Sequence, residues 1–160
     1  MTTWKEADSV RFRIPGESRF LFLVRTVVTA LARAAQLAED EVDKIEIAVD
    51  EACTNVLDHA YRKTHPKPPI DLEIRVSDSQ FIVDVIDRGS PFDFKAYVPP
   101  RFPDHWMEGQ TRGVGLYLIK QCMDEISYDA LPDKANRLRL IKNLSSRKRP
   151  VEAGAPLGAR

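Results

Sequence analysis

Polar and apolar residues alternate over residues 9–14 (SVRFRI), with Val10, Phe12 and Ile14 on one side, which predicts a short half-buried strand. Pro15-Gly16 ends it. Leu21, Val24, Val28, Leu31 and Ala35 recur at helical spacing and predict a helix over 18–38, capped by Ser18. A second helix is predicted over 40–62. Asp40 opens it, Glu41 and Asp43 complement the dipole in its first turn, and Ile45, Val49, Ala52, Val56 and Ala60 form its apolar stripe. Glu51, Asn55 and Asp58 fall on another face, and His59 reads as a packed or capping histidine near the helix end. The prolines of THPKPP (64–69) stop the helix. Two alternating strands follow at 70–76 and 80–87, joined by a Ser-Asp-Ser hairpin turn. The stretch 92–111 carries Pro99, Pro100 and Pro103 without periodicity, and so long a loop in a compact domain is functional or disordered. A helix over 113–123 and strands over 125–130 and 136–142 complete the pattern.

This order of elements predicts an α+β two-layer sandwich, a mixed or mostly antiparallel sheet with its helices on one face. Residues 1–144 are expected to form one domain, and 145–160 a disordered tail. Composition adds little. Hydrophobic residues at 43%, charged residues at 30% and a net charge of zero over 160 residues give no general attraction to nucleic acid or anionic membrane. No apolar run approaches the roughly 18 residues of a membrane helix, and MTTWKEADSV has no signal-peptide pattern. Cys53 and Cys122 in separate predicted helices fit buried, reduced thiols, so a cytoplasmic location is expected.

Three segments carry candidate chemistry. In EACTNVLDHAY (51–61), Glu51 and Asn55 lie four apart on one helical face. The Asn55 oxygen suits a magnesium ion on nucleotide phosphates, and Glu51 suits a general base or a carboxylate that orients the nucleophile. In DRGSPFD (87–93), Asp87 at a strand end can accept a hydrogen bond from an exocyclic amine, and Gly89 admits a flat base close to the backbone. In TRGVGLYLI (111–119), glycines at a helix start expose backbone N–H groups to phosphate. That makes Gly113, Val114, Gly115 and Leu116 candidate nucleotide contacts, with Arg112 adding charge. The segment is neither a Walker A loop nor a Rossmann fingerprint. Taken singly, the three read as a solvated helix face, a turn and a glycine-assisted junction. In this order they are how one ATP-binding architecture is assembled, with 92–111 as a lid.

These segments, with NRLRLIKNL at 136–144, resemble the GHKL (Bergerat-fold) ATPases, and within them the anti-sigma factor serine kinases of RsbW type. The resemblance covers roughly residues 9–143. By position it places Glu51 on the family's catalytic carboxylate, Asn55 on its magnesium ligand, Asp87 on its adenine-reading Asp, and Gly113 and Gly115 on its phosphate-loop glycines. It implies an ATP- and Mg²⁺-dependent protein serine/threonine kinase that phosphorylates a STAS-type antagonist, sequesters a sigma factor and forms a homodimer. A nucleotide-gated binding module without kinase activity is the alternative. Some positions depart from the wider pattern. Pro91 replaces a glycine, Thr111 replaces the first glycine of a fuller GxGxG, and Asn136-Arg137 stand where several relatives carry a threonine near the adenine. Trp4, Phe20, Phe22 and Trp106 are open between core and interface.

Overall fold

Strict alternation in the strands decides which face of the sheet is covered. In the computed structural model, which describes residues 8–92 and 114–144, five strands form one antiparallel sheet in the order β1-β2-β3-β5-β4. They are β1 Ser9–Ile14, β2 Ile70–Val76, β3 Gln80–Asp87, β4 Glu125–Ala130 and β5 Asn136–Asn143. Ile70, Leu72, Ile74 and Val76 of β2 and Phe81, Val83 and Val85 of β3 are buried, and their alternate neighbours point the other way. Three helices supply the matching apolar stripes: α1 Leu21–Ala34, α2 Glu39–Asn55 and α3 Val114–Cys122. Val24, Val28, Ile45, Val49 and Ile119 join the strand residues in one core. α2 lies between α1 and α3 and packs on both. The sheet left open between mixed and antiparallel is antiparallel at every pairing.

The helix ends differ from expectation. Ser18–Phe20 form a 3₁₀ turn, α1 starts at Leu21, and neither start has a side-chain cap, so Ser18 does not cap the helix. α1 stops at Ala34, because Gln36 takes a left-handed conformation (φ 60°). Its N–H bonds the Arg33 carbonyl (2.8 Å), and the Leu37 N–H bonds the Ala32 carbonyl (3.2 Å), a closure that turns Leu37 back onto the core. α2 begins at Glu39, with Glu39, Asp40 and Glu41 in its first turn. It does not run on to 62 as an α-helix. Val56–Ala60 widen into a π-turn, closed by the Tyr61 N–H on the Val56 carbonyl at 2.9 Å. Lys67 Nζ donates to the Leu57 carbonyl there (2.8 Å). His59 is exposed rather than packed.

The sheet face without helices carries charges that pair across the strands, beside the partly buried Ile82, Ile86 and Ile141. Arg11 bonds Glu73 at 3.0 Å, and Arg13 and Arg88 both bond Asp71. Asp84 is 2% exposed between Arg75 (2.9 Å) and Arg139 (2.7 and 2.8 Å). Its interstrand neighbours in register are Glu73 and Arg139. The hairpin turn is as expected: Ser77 Oγ accepts the Ser79 and Gln80 N–H groups. Cys53 and Cys122 are buried free thiols, and burial pushes Cys53 up to about 12. Among the described residues no helix is long and apolar enough to cross a membrane. Phe22 is 54% exposed and Phe20 is partly buried against the core, while Trp4, Trp106, the proposed tail and all of the 92–111 loop after Phe92 lie outside the described residues.

Candidate active site

The long helix α2 carries Glu51 and Asn55 on the face turned toward α3, one helical turn apart. Gly115 in the first turn of α3 packs directly against them. A Cβ there would lie 2.6 Å from Glu51 Oε2 and 3.4 Å from both amide atoms of Asn55. This closeness explains the glycine, since any side chain at 115 would occupy the space in front of the carboxylate. Glu51 is half-buried, and burial, with Asp50 adding like charge, raises its carboxyl above the ordinary value of 4.5. The side chains of Glu51 and Asn55 make no hydrogen bond to another described residue, so both have polar atoms unused by the fold.

The other half of the site lies past the π-turn. Gly89 abuts the end of that turn, and a Cβ on it would fall 2.5 Å from the Ala60 carbonyl oxygen. The Ser90 N–H bonds the same carbonyl at 3.0 Å. Tyr61, fully buried, donates its hydroxyl to the Pro69 carbonyl (2.9 Å) and accepts the Arg88 N–H (3.2 Å), which fixes the strand end beside the helix. Asp87 at that strand end is 5% exposed. Its Oδ1 accepts the Gly89 N–H at 2.7 Å and the Asn136 Nδ2 at 3.1 Å, and Oδ2 has no protein donor among the described residues. Tyr128 closes this end, accepting the Phe92 N–H at 2.9 Å and meeting the Phe92 ring edge-on.

The fold therefore brings Glu51, Asn55 and Gly115 together, and sets Asp87 and Gly89 at the far end of the same helix axis. The π-turn Val56–Ala60 separates the two clusters. Val114 is half-buried beside Gly115, whereas Leu116 is 7% exposed with its side chain in the core, so only its backbone is available to a ligand. Arg112 and Gly113 lie outside the described residues. Sequence reasoning passes over Tyr61, and it marks Asn136 only as standing where several relatives carry a threonine near the adenine, without assigning it a partner. The signal for Asn136 was the register that pairs it with Asp87, which no local pattern reveals.

A magnesium ion and a nucleotide fit this donor set. Asn55 offers one neutral oxygen, as a metal held chiefly by phosphates and water requires. Among the described residues no three His, Cys, Asp or Glu side chains converge into a protein-only metal site.

Comparison with known proteins agrees with the fold. A family model described as the histidine kinase-like ATPase domain matches residues 14–142. The serine-protein kinase RsbW of Bacillus subtilis (strain 168) is 32% identical over 127 residues, covering 75% of this chain and 77% of that protein. RsbW of Bacillus velezensis is 32% identical over 126 residues, covering 74% and 76%. Among solved structures, the RsbU and RsbW domains of Rv1364c from Mycobacterium tuberculosis align with a TM-score of 0.61 at 15% identity, over 88% of this chain and 34% of that one. The SiaB-SiaC complex from Pseudomonas aeruginosa aligns at 0.58 and 17% identity, over 84% and 89%. These two share the fold. With the ATPase-domain match running from the end of β1 through β5 and taking in all three helices, and RsbW kinases related along three quarters of the sequence, the chain belongs to the GHKL (Bergerat-fold) ATPases, in the branch of the RsbW-type anti-sigma factor serine kinases.

Proposed function

We propose that the protein is a Mg-ATP-dependent protein serine/threonine kinase and anti-sigma regulatory factor of a partner-switching circuit in the cytoplasm. Its substrate is a STAS-type antagonist, its sequestered partner is a sigma factor, and its working form is a homodimer. The convergence of Glu51, Asn55 and Gly115 at the junction of α2 and α3 supports this reading most directly. Relatives named as RsbW serine-protein kinases support it from outside.

In this reading Asn55 would hold Mg²⁺ through its amide oxygen, and the first N–H groups of α3 would favour phosphate. The ion would supply charge neutralisation for the transferring phosphoryl group. Asp87 Oδ2 receives the exocyclic amine of the base. Glu51 accepts the proton of the acceptor hydroxyl as its oxygen bonds the γ-phosphorus. The γ-phosphorus bond to the β–γ bridging oxygen breaks, and its electron pair leaves with ADP. A carboxyl raised by burial is better matched to that proton than an ordinary glutamate.

Incubation with labelled Mg-ATP and a STAS partner tests the proposal, the expected product being acid-stable phosphoserine or phosphothreonine on the partner. Bound nucleotide without transferred label is the result that favours a nucleotide-gated binding module instead. Asn55→Ala is expected to abolish the magnesium dependence of nucleotide binding. Unchanged Mg-ATP affinity in that variant removes Asn55 from the metal site.

A further inference from the structure

Asn136 opens β5 directly opposite Asp87 and is 4% exposed. Its Nδ2 lies 3.1 Å from Asp87 Oδ1 and 3.1 Å from the Gly89 carbonyl oxygen. Both neighbours are acceptors, so chemistry fixes the amide orientation: the opposite flip would set a carbonyl oxygen against two other oxygens. Each amide hydrogen therefore has a protein partner, and Asn136 Oδ1 has none among the described residues. Asp87 Oδ1 is held at the same time by the Gly89 N–H. The carboxylate cannot rotate without breaking one of these bonds.

We propose that Asn136 is a positioning residue for base selectivity: by locking Asp87 and Gly89 with both amide hydrogens, it leaves this edge with acceptors only. Such an edge fits a purine carrying an exocyclic amine, which donates to Asp87 Oδ2. It rejects a purine carrying a carbonyl at the same position, because oxygen then faces oxygen in a buried setting. A hydroxyl side chain at 136 could donate only one hydrogen, so the amide adds the second tie, to Gly89. The inference rests on nucleotide binding at the site proposed above.

The test compares ATP with ITP, which replaces the amine by a carbonyl, as magnesium complexes with the full chain. Val and Thr, near-isosteric with each other and β-branched, both suit the strand, and only Asn136→Thr retains a donor. The wild type is expected to prefer ATP by roughly a hundredfold or more. Asn136→Val should lose about tenfold in ATP affinity with ITP affinity nearly unchanged, and Asn136→Thr should recover most of the preference. A wild-type ratio in Asn136→Val, or an equal loss for both nucleotides, reduces Asn136 to a structural residue and overturns the inference. A wild type that binds ATP and ITP alike also overturns it. A wild type that binds neither nucleotide overturns the ATP reading itself, a result separable from the others.

Discussion

Glu51 couples chemistry to stability through a single carboxyl. Burial favours its neutral form, so the folded protein holds the proton more tightly than the unfolded chain. The sign follows: Glu51 contributes stability below its ordinary value of 4.5, and that contribution is lost as pH rises through the raised folded value. At neutral pH the ionised group is a cost that Gln removes. Glu51→Gln is expected to keep nucleotide, lose phosphotransfer by about 10²–10⁴-fold, and melt higher than the wild type at pH 7, with the gap closing toward pH 4. Equal turnover would take Glu51 out of the mechanism, and a lower melting temperature would contradict the burial argument. Gly115 and Gly89 separate function from folding. The Cβ of Gly115→Ala meets the mobile end of Glu51, so the variant should fold normally and lose activity. In Gly89→Ala the Cβ meets the Ala60 backbone, which cannot rotate away. A destabilisation of about 1–3 kcal/mol is expected from such overpacking, read by denaturant unfolding.

Among the elements, α2 bears most of the site, and its ending matters more than its length. An apolar stripe at helical spacing predicts one continuous helix to 62, and the stripe residues are indeed buried or half-buried. The switch from α to π hydrogen bonding after Asn55 was not legible, because it depends on partners distant in sequence: Lys67 on the Leu57 carbonyl, and Gly89 and Ser90 against Ala60. The same holds for α1, where the left-handed Gln36 replaces the glycine that a C-terminal stop usually announces. Removing the ammonium by Lys67→Met leaves a carbonyl of the π-turn without that donor. Destabilisation of about 1–3 kcal/mol is expected, with a faster amide exchange at Tyr61 and neighbouring positions. Unaltered exchange there would show that Lys67 does not support the turn.

At the level of the whole molecule, the two faces of the sheet are stabilised by different physics. The helix side is apolar packing, while the open side depends on ion pairs in which Asp84 is the buried member, held by two guanidinium groups. Asp84→Ala leaves two arginines facing each other without their carboxylate and is expected to cost about 3–5 kcal/mol, the usual loss when one partner of a buried pair is removed. A stability change below about 1 kcal/mol would place this network among weak surface pairs. The sequence by itself determined the element order, the one-sided burial of the strands and the identity of Glu51, Asn55, Asp87, Gly89 and Gly115 as site candidates. Those features follow from periodicity and from residue chemistry, which are local. Only the tertiary structure decided how the candidates meet: Gly115 against Glu51 across two helices, and Asn136 against Asp87 across two strands. Both contacts join residues about fifty or more positions apart, and it is strand register and helix packing, not spacing along the chain, that bring such atoms within bonding distance.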